Sequence, residues 1–181
     1  DVYKRQFQEN PPAATFLLSK IIPPIGGDTL FANTQKAYED LNDEMKIKIE
    51  NLKVVHSAKL PYADDGFYAT ETEKRSMNII TSKEAKKEQI HSLVKVHPET
   101  QKKGLFINPV YTSHIQGFNE EESFLLLSKL YEHMTQEKYI YRHKWKENML
   151  LMWDNRTVMH MAEGGYDGYD RLLHRITIAN S

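Results

Sequence analysis

The sequence contains no cysteine, which excludes disulfide bridges and thiolate metal sites and is compatible with the cytoplasmic location expected for this protein. No apolar run approaches the roughly 18 residues needed to cross a bilayer. Neither sign of charge prevails: 24 Lys and Arg stand against 25 Asp and Glu, a net charge of -1. With no basic field, neither nucleic acid nor an anionic membrane is expected as a partner. Repeats and low-complexity tracts are also lacking. The 181 residues fit one domain with a single sizeable core. The first residue is Asp1 rather than Met, so the lack of a leader motif carries no information.

What the chain does have is concentrated between Trp153 and Arg175. That stretch reads as a strand (Met149 to Trp153), a polar corner at Asp154-Asn155-Arg156, a short run ending in His160, and a loop with glycines at 164, 165 and 168. A second strand follows from Arg171 to Ile178, whose period-2 alternation gives it two different faces. Arg171 and Arg175 share one face, and His174 lies on the other and is expected to be packed. An imidazole at a strand end opposite two guanidiniums suggests a pocket for a metal and a carboxylated ligand. Arginine offers a planar fork that matches carboxylate geometry and never loses its charge.

These residues resemble the taurine dioxygenase-like (TauD/TfdA) family of Fe(II)- and 2-oxoglutarate-dependent dioxygenases. The resemblance rests on Trp153-Asp154-Asn155-Arg156, on His160, and on Arg171 and Arg175 at eleven and fifteen residues beyond it. It is joined by Gly26-Gly27-Asp28-Thr29-Leu30, His97-Pro98-Glu99-Thr100 and Leu105-Phe106-Ile107-Asn108, and runs from about Phe7 onward. It implies a mainly β fold, the double-stranded β-helix (a cupin-like jelly roll) with helical insertions. It further implies Fe(II) as the metal, held by two His and one carboxylate, with 2-oxoglutarate and O2 as cosubstrates. His160 would be the distal iron ligand. Thr29 and Arg175 would hold the far carboxylate of 2-oxoglutarate, while Arg171 and Tyr62 would receive a small anionic substrate of the taurine, sulfonate, alkyl sulfate or carboxylic acid type. Other readings stay open: Thr29 closing a turn, Arg171 paired with Asp167 or Asp170 at the surface, and Tyr62 anchoring a loop. A homo-oligomer is compatible with the sequence.

The family's other two iron ligands come from a W-H-x-D segment, whose aspartate would fall three residues and whose histidine five residues before Phe7. Val2 and Lys4 stand there; Val has no donor atom and an ammonium repels a dication. Residues 1–6 are therefore expected to be a non-native leader, with residues 7–181 forming a single domain that lacks the N-terminal part of the fold. The alternative is a non-catalytic fragment or β-helical anion-binding protein without a complete iron site.

Upstream, the run after Pro12 suits a strand closed by Pro23 to Gly27, and residues 34–53 suit two helical pieces broken near Asn42. Residues 63–87 read as a long surface loop that could cover a substrate. Ser92 to His97 and Leu105 to Pro109 suit a hairpin around a glycine-containing turn. Asn119 with Glu122 predicts a capped helix whose apolar stripe is Phe124, Leu127, Leu130, Tyr131 and Met134.

Overall fold

The computed structural model describes residues 9–70, 81 and 83–179. In chain order its strands are β1 (Ala14–Ile21), β2 (Thr29–Asn33), β3 (Lys53–Ser57), β4 (Glu88–Ser92), β5 (Val94–Val96), β6 (Lys103–Leu105), β7 (Thr112–Ile115), β8 (Ile140–His143), β9 (Leu150–Asp154), β10 (Val158–Ala162) and β11 (Leu172–Ile178). The helices are α1 (Thr34–Glu39), α2 (Asp43–Ile49), α3 (Lys59–Tyr62), α4 (Phe67–Thr70) and α5 (Glu120–Met134).

Two antiparallel sheets carry the site, one in the order β11-β1-β9 and the other β10-β2-β8. Each is built from an early strand flanked by two late ones. In the first, Thr15 lies opposite both Trp153 and Thr177, and Leu17 opposite Arg175, so Trp153 and Arg175 share a face. In the second, Phe31 lies opposite His160 and Tyr141, and Thr29 opposite Ala162 and His143. The faces meet where Trp153 packs on Phe31, ring centroids 5.2 Å apart, and on His160, 4.8 Å apart. The architecture is the mainly β jelly roll with helical insertions that the sequence suggests.

The main core lies outside this pair of sheets, in the insertion between β2 and β8. Ile49, Val54, Leu93, Leu105, Ile107, Ile115, Leu130 and Met134 are buried there around α5. Asn119 caps α5 as expected, with its side chain on the Glu122 amide and the Glu122 carboxylate on its own. Of the expected apolar stripe, Leu127, Leu130 and Met134 are buried and Tyr131 packs against the core, while the buried face as a whole is rotated by less than one residue's turn away from Phe124. Ser123, Leu126, Leu127, Leu130 and Met134 are buried, whereas Phe124 is 68% exposed. The Ser123 hydroxyl selects this face, because it accepts the Ile115 amide at 2.8 Å from β7.

The hairpin between β5 and β6 also turns differently. Gln101, not glycine, takes the left-handed conformation (φ 59°). Gly104 is inside β6, where a side chain would press on Gln35 and Thr34 of α1 at 3.2 and 3.3 Å. His174 is exposed rather than packed. The expected leader at residues 1–6, with Val2 and Lys4, and much of the expected loop at 63–87 lie outside the described residues. No helix among the described residues is long and apolar enough to cross a membrane.

Candidate active site

The turn leaving β1 and the loop leaving β10 are stitched together. Gly27 and Glu163 donate their amides to Gly164 and Asp28 carbonyls at 3.0 and 2.8 Å. Gly26 is left-handed (φ 66°), and a Cβ there would meet the Gly165 oxygen at 2.5 Å, so the two backbones approach as only glycine permits. Arg171, the residue before β11, lies in this seam. One of its terminal nitrogens donates to the Gly27 carbonyl at 3.0 Å, and its guanidinium lies 5.6 Å from the Tyr166 ring centre. Its Nε is buried with no hydrogen-bond partner among the described residues. Burial pulls its pKa down, with Tyr166 acting in the opposite sense. Asp167 and Asp170 are both exposed.

Two residues beyond Gly27, Thr29 is buried and accepts the Trp145 indole N–H on its hydroxyl at 3.0 Å. That leaves the hydroxyl's own proton to donate. The seam therefore presents two unsatisfied donors, Thr29 O–H and Arg171 Nε–H, in a place largely shielded from water. A buried donor without a partner is costly, and a carboxylate is a suitable acceptor for either.

His160 is the third of five residues in β10 rather than at a strand end. Its ring stacks on Phe31 at 5.9 Å, and it lines a small pocket with Pro11, Pro12, Asn108, Tyr111 and Asn155. Tyr62 does not line this pocket; it is buried behind it, stacked on Tyr111 at 6.4 Å. Arg175 projects from the middle of β11, exposed, on the face it shares with Trp153. Tyr111 and Trp145 are the two neighbours of the site that sequence reasoning did not find, and neither lies in a recognisable motif.

Among the described residues, one group of three His, Asp or Glu donors comes together, and it does not include His160: His97, Glu99 and Asp154, within 4.8 Å of one another. Its chemistry is that of a structural knot rather than a metal centre. The His97 Nδ1 accepts the amides of Glu99 and Thr100 at 3.3 and 3.2 Å, which leaves the ring proton on Nε2 to bond Asp154 at 2.9 Å. Arg156 occupies the space a cation would take, bonded to Asp154 at 2.6 Å and to both Glu99 oxygens at 3.2 Å. Burial works against ionisation of Asp154, but the hydrogen bonds from Arg156 and His97 outweigh it and hold the carboxyl at about 2. The knot ties the β5–β6 turn to the corner between β9 and β10, and so fixes the strand that carries His160.

Residues 5–177 match the family described as taurine catabolism dioxygenase TauD, TfdA family. An alkylsulfatase of Acinetobacter baylyi is 36% identical over 174 residues, 96% of this chain and 54% of the relative. An alpha-ketoglutarate-dependent 2,4-dichlorophenoxyacetate dioxygenase of a Burkholderia species is 35% identical over 157 residues, 85% of this chain and 49% of the relative. Among solved structures, AAD-2 in complex with Mn(II) and N-oxalylglycine superposes with a TM-score of 0.84 at 32% identity, covering 98% of this chain and 67% of that one. A taurine dioxygenase from Burkholderia xenovorans gives 0.79 at 32% identity, covering 95% and 54%. The chain spans about half the length of the curated relatives it matches. On the family match, on these relatives and on the shared jelly roll, the chain belongs to the TauD/TfdA family of dioxygenases.

Proposed function

We propose that the protein is a 2-oxoglutarate-dependent dioxygenase of the cytoplasm that hydroxylates a small anionic organic molecule, of the sulfonate, alkyl sulfate or carboxylic acid type. The observation that carries this reading is the pair of unsatisfied donors at Thr29 and Arg171, on the seam next to the His160 sheet. The far carboxylate of the keto acid is assigned to that pair. This exchanges the two arginines relative to the expectation from sequence, since Arg171 lies against Gly27 while Arg175 is in mid-strand opposite Leu17. Arg175, exposed on the inner sheet face, is then the cation for the substrate's anionic group. Tyr62 acts through Tyr111, which lines the His160 pocket.

Iron fits this site only in part. His160 offers one nitrogen, and no cluster of three His, Asp or Glu donors among the described residues includes it, whereas the facial set of such oxygenases needs two His and a carboxylate. The chain's own residues bind the keto acid at Thr29 and Arg171, orient the substrate anion at Arg175, and exclude water with Phe31, Trp153 and Tyr111. The test is an anaerobic titration of the 181-residue chain with iron(II) and 2-oxoglutarate, followed by the visible charge-transfer band and by calorimetry. Keto acid binding with weak iron uptake is expected. Absence of keto acid binding would refute the pocket. A second reading, an anion-binding protein without oxygenase activity, rests on the single His160 donor. It is favoured if 2-oxoglutarate binds with no iron uptake at all.

A further inference from the structure

Arg142 is on β8 with its side chain on the opposite face from its inward neighbours Tyr141 and His143, which lie opposite Phe31 and Thr29. Its guanidinium reaches two carboxylates from other elements: Asp28, which immediately precedes Thr29, at 3.4 Å, and Glu163, which follows the last residue of β10. One cation thus joins β2, β8 and β10 at the end of the sheet where the seam begins. Beyond Glu163 the loop carries Gly164, Gly165 and Gly168, and at none of them would a Cβ meet any atom within 4 Å. No side chain of the loop's own glycines holds the path from Glu163 to Arg171, so its restraint comes from the backbone seam, where Gly27 bonds the Gly164 carbonyl at 3.0 Å, and from the ion pair at the Glu163 end. The same cation offsets half of the negative charge that Asp28 and Glu163 place beside the seam.

We propose that Arg142 is a positioning residue for the carboxylate pocket: by bridging Asp28 and Glu163 it clamps the loop of residues 163–171 onto the turn of residues 23–28 and so keeps the Arg171 guanidinium on Gly27. The inference rests on the reading that Thr29 and Arg171 take the keto acid's carboxylate. It is tested on the 181-residue chain by titration with 2-oxoglutarate, read by calorimetry and by the fluorescence of Trp145, whose indole is bonded to Thr29. Arg142→Ala should weaken binding about threefold to fivefold, the size expected of an exposed ionic bridge, and Arg142→Lys should recover most of it. The double variant Arg142→Ala/Arg171→Ala should bind no more weakly than Arg171→Ala alone, because Arg142 acts through Arg171. Arg142→Met, which keeps the apolar stem, serves if the alanine variant fails to fold. If Arg171→Ala weakens binding but the Arg142 variants stay within 1.5-fold of the parent, or if the two losses multiply, the positioning role is wrong and the pocket stands. If Arg171→Ala changes nothing, the pocket itself is wrong.

Discussion

Replacing Asp154 by Asn tests the knot that fixes the His160 strand. Asp154 accepts four bonds from Arg156, at 2.8 Å from its amide and at 2.9, 3.2 and 2.6 Å from its guanidinium, and a fifth from His97 at 2.9 Å. Its side chain is only 28% exposed, so solvent screening removes little of this. The fall of its pKa from the ordinary 3.8 to about 2 is worth roughly 2.5 kcal/mol. Because the folded state depresses a carboxyl, this stability is present above 3.8 and is lost as pH falls through about 2. Asp154→Asn should therefore cost about 2 kcal/mol at pH 7, and its deficit against the parent should shrink as pH drops below 4. Urea unfolding followed by Trp153, the adjacent residue, measures both; comparing parent with variant cancels the other titrating groups. A deficit under about 0.5 kcal/mol at pH 7, or one that stays constant down to pH 2, would refute the reasoning.

Three other outcomes follow from the geometry. Arg171→Ala should weaken 2-oxoglutarate binding by about 30-fold or more, as expected for truncating one partner of a desolvated charge pair, whereas Arg175→Ala should leave it within about threefold; calorimetry ranks the two, and the reverse order would restore the arrangement expected from sequence. Gly26→Ala, with φ 66° and a Cβ 2.5 Å from the Gly165 oxygen, should cost about 1 to 3 kcal/mol by thermal melt, while Gly164→Ala, which has open space, should be near neutral; equal effects would contradict the close approach. His56 is fully buried, and burial first, then His91 and Lys95, push its pKa from 6.5 to about 3. The unfolded chain thus takes up the proton first, and stability falls as pH drops from 6.5 toward 3. His56→Leu should flatten that slope, by roughly 3 kcal/mol between pH 6.5 and 4; an unchanged slope in acid denaturation would exclude His56 as its source.

Local order was legible in the sequence wherever one residue and its near neighbours decide it. An apolar run after Pro12 gave β1, period-2 alternation gave β11, and the Asn119–Glu122 spacing gave the start of α5. The α5 stripe was right at Leu127, Leu130, Tyr131 and Met134 and missed at Phe124, because a serine bonded to β7 sets the rotation. The motif residues of the knot stood out as a resemblance, but their mutual contacts join residues 57 apart, which no local pattern encodes. The two arginines were equivalent on period alone. Only the bend before β11, which turns Arg171 toward Gly27, separates them, and that bend depends on a glycine seam formed across the whole chain.

The pairing of β1 bears on how the molecule comes to exist. Its two partners, β9 and β11, lie far downstream: Thr15 meets Trp153, 153 minus 15 or 138 residues later. The insertion around α5 is built from contacts of much shorter range. Contacts between distant residues form slowly, and at ordinary rates of synthesis β1 waits on the order of ten seconds or more on the ribosome before either neighbour emerges. During that interval Phe16, Leu17 and Leu18 have no sheet to join, so the nascent chain is most exposed to aggregation and most dependent on chaperones while its chemistry-bearing half is still unmade. Slowed translation or chaperone depletion should therefore deplete protein with β1 paired in its sheet before it affects the packing around α5.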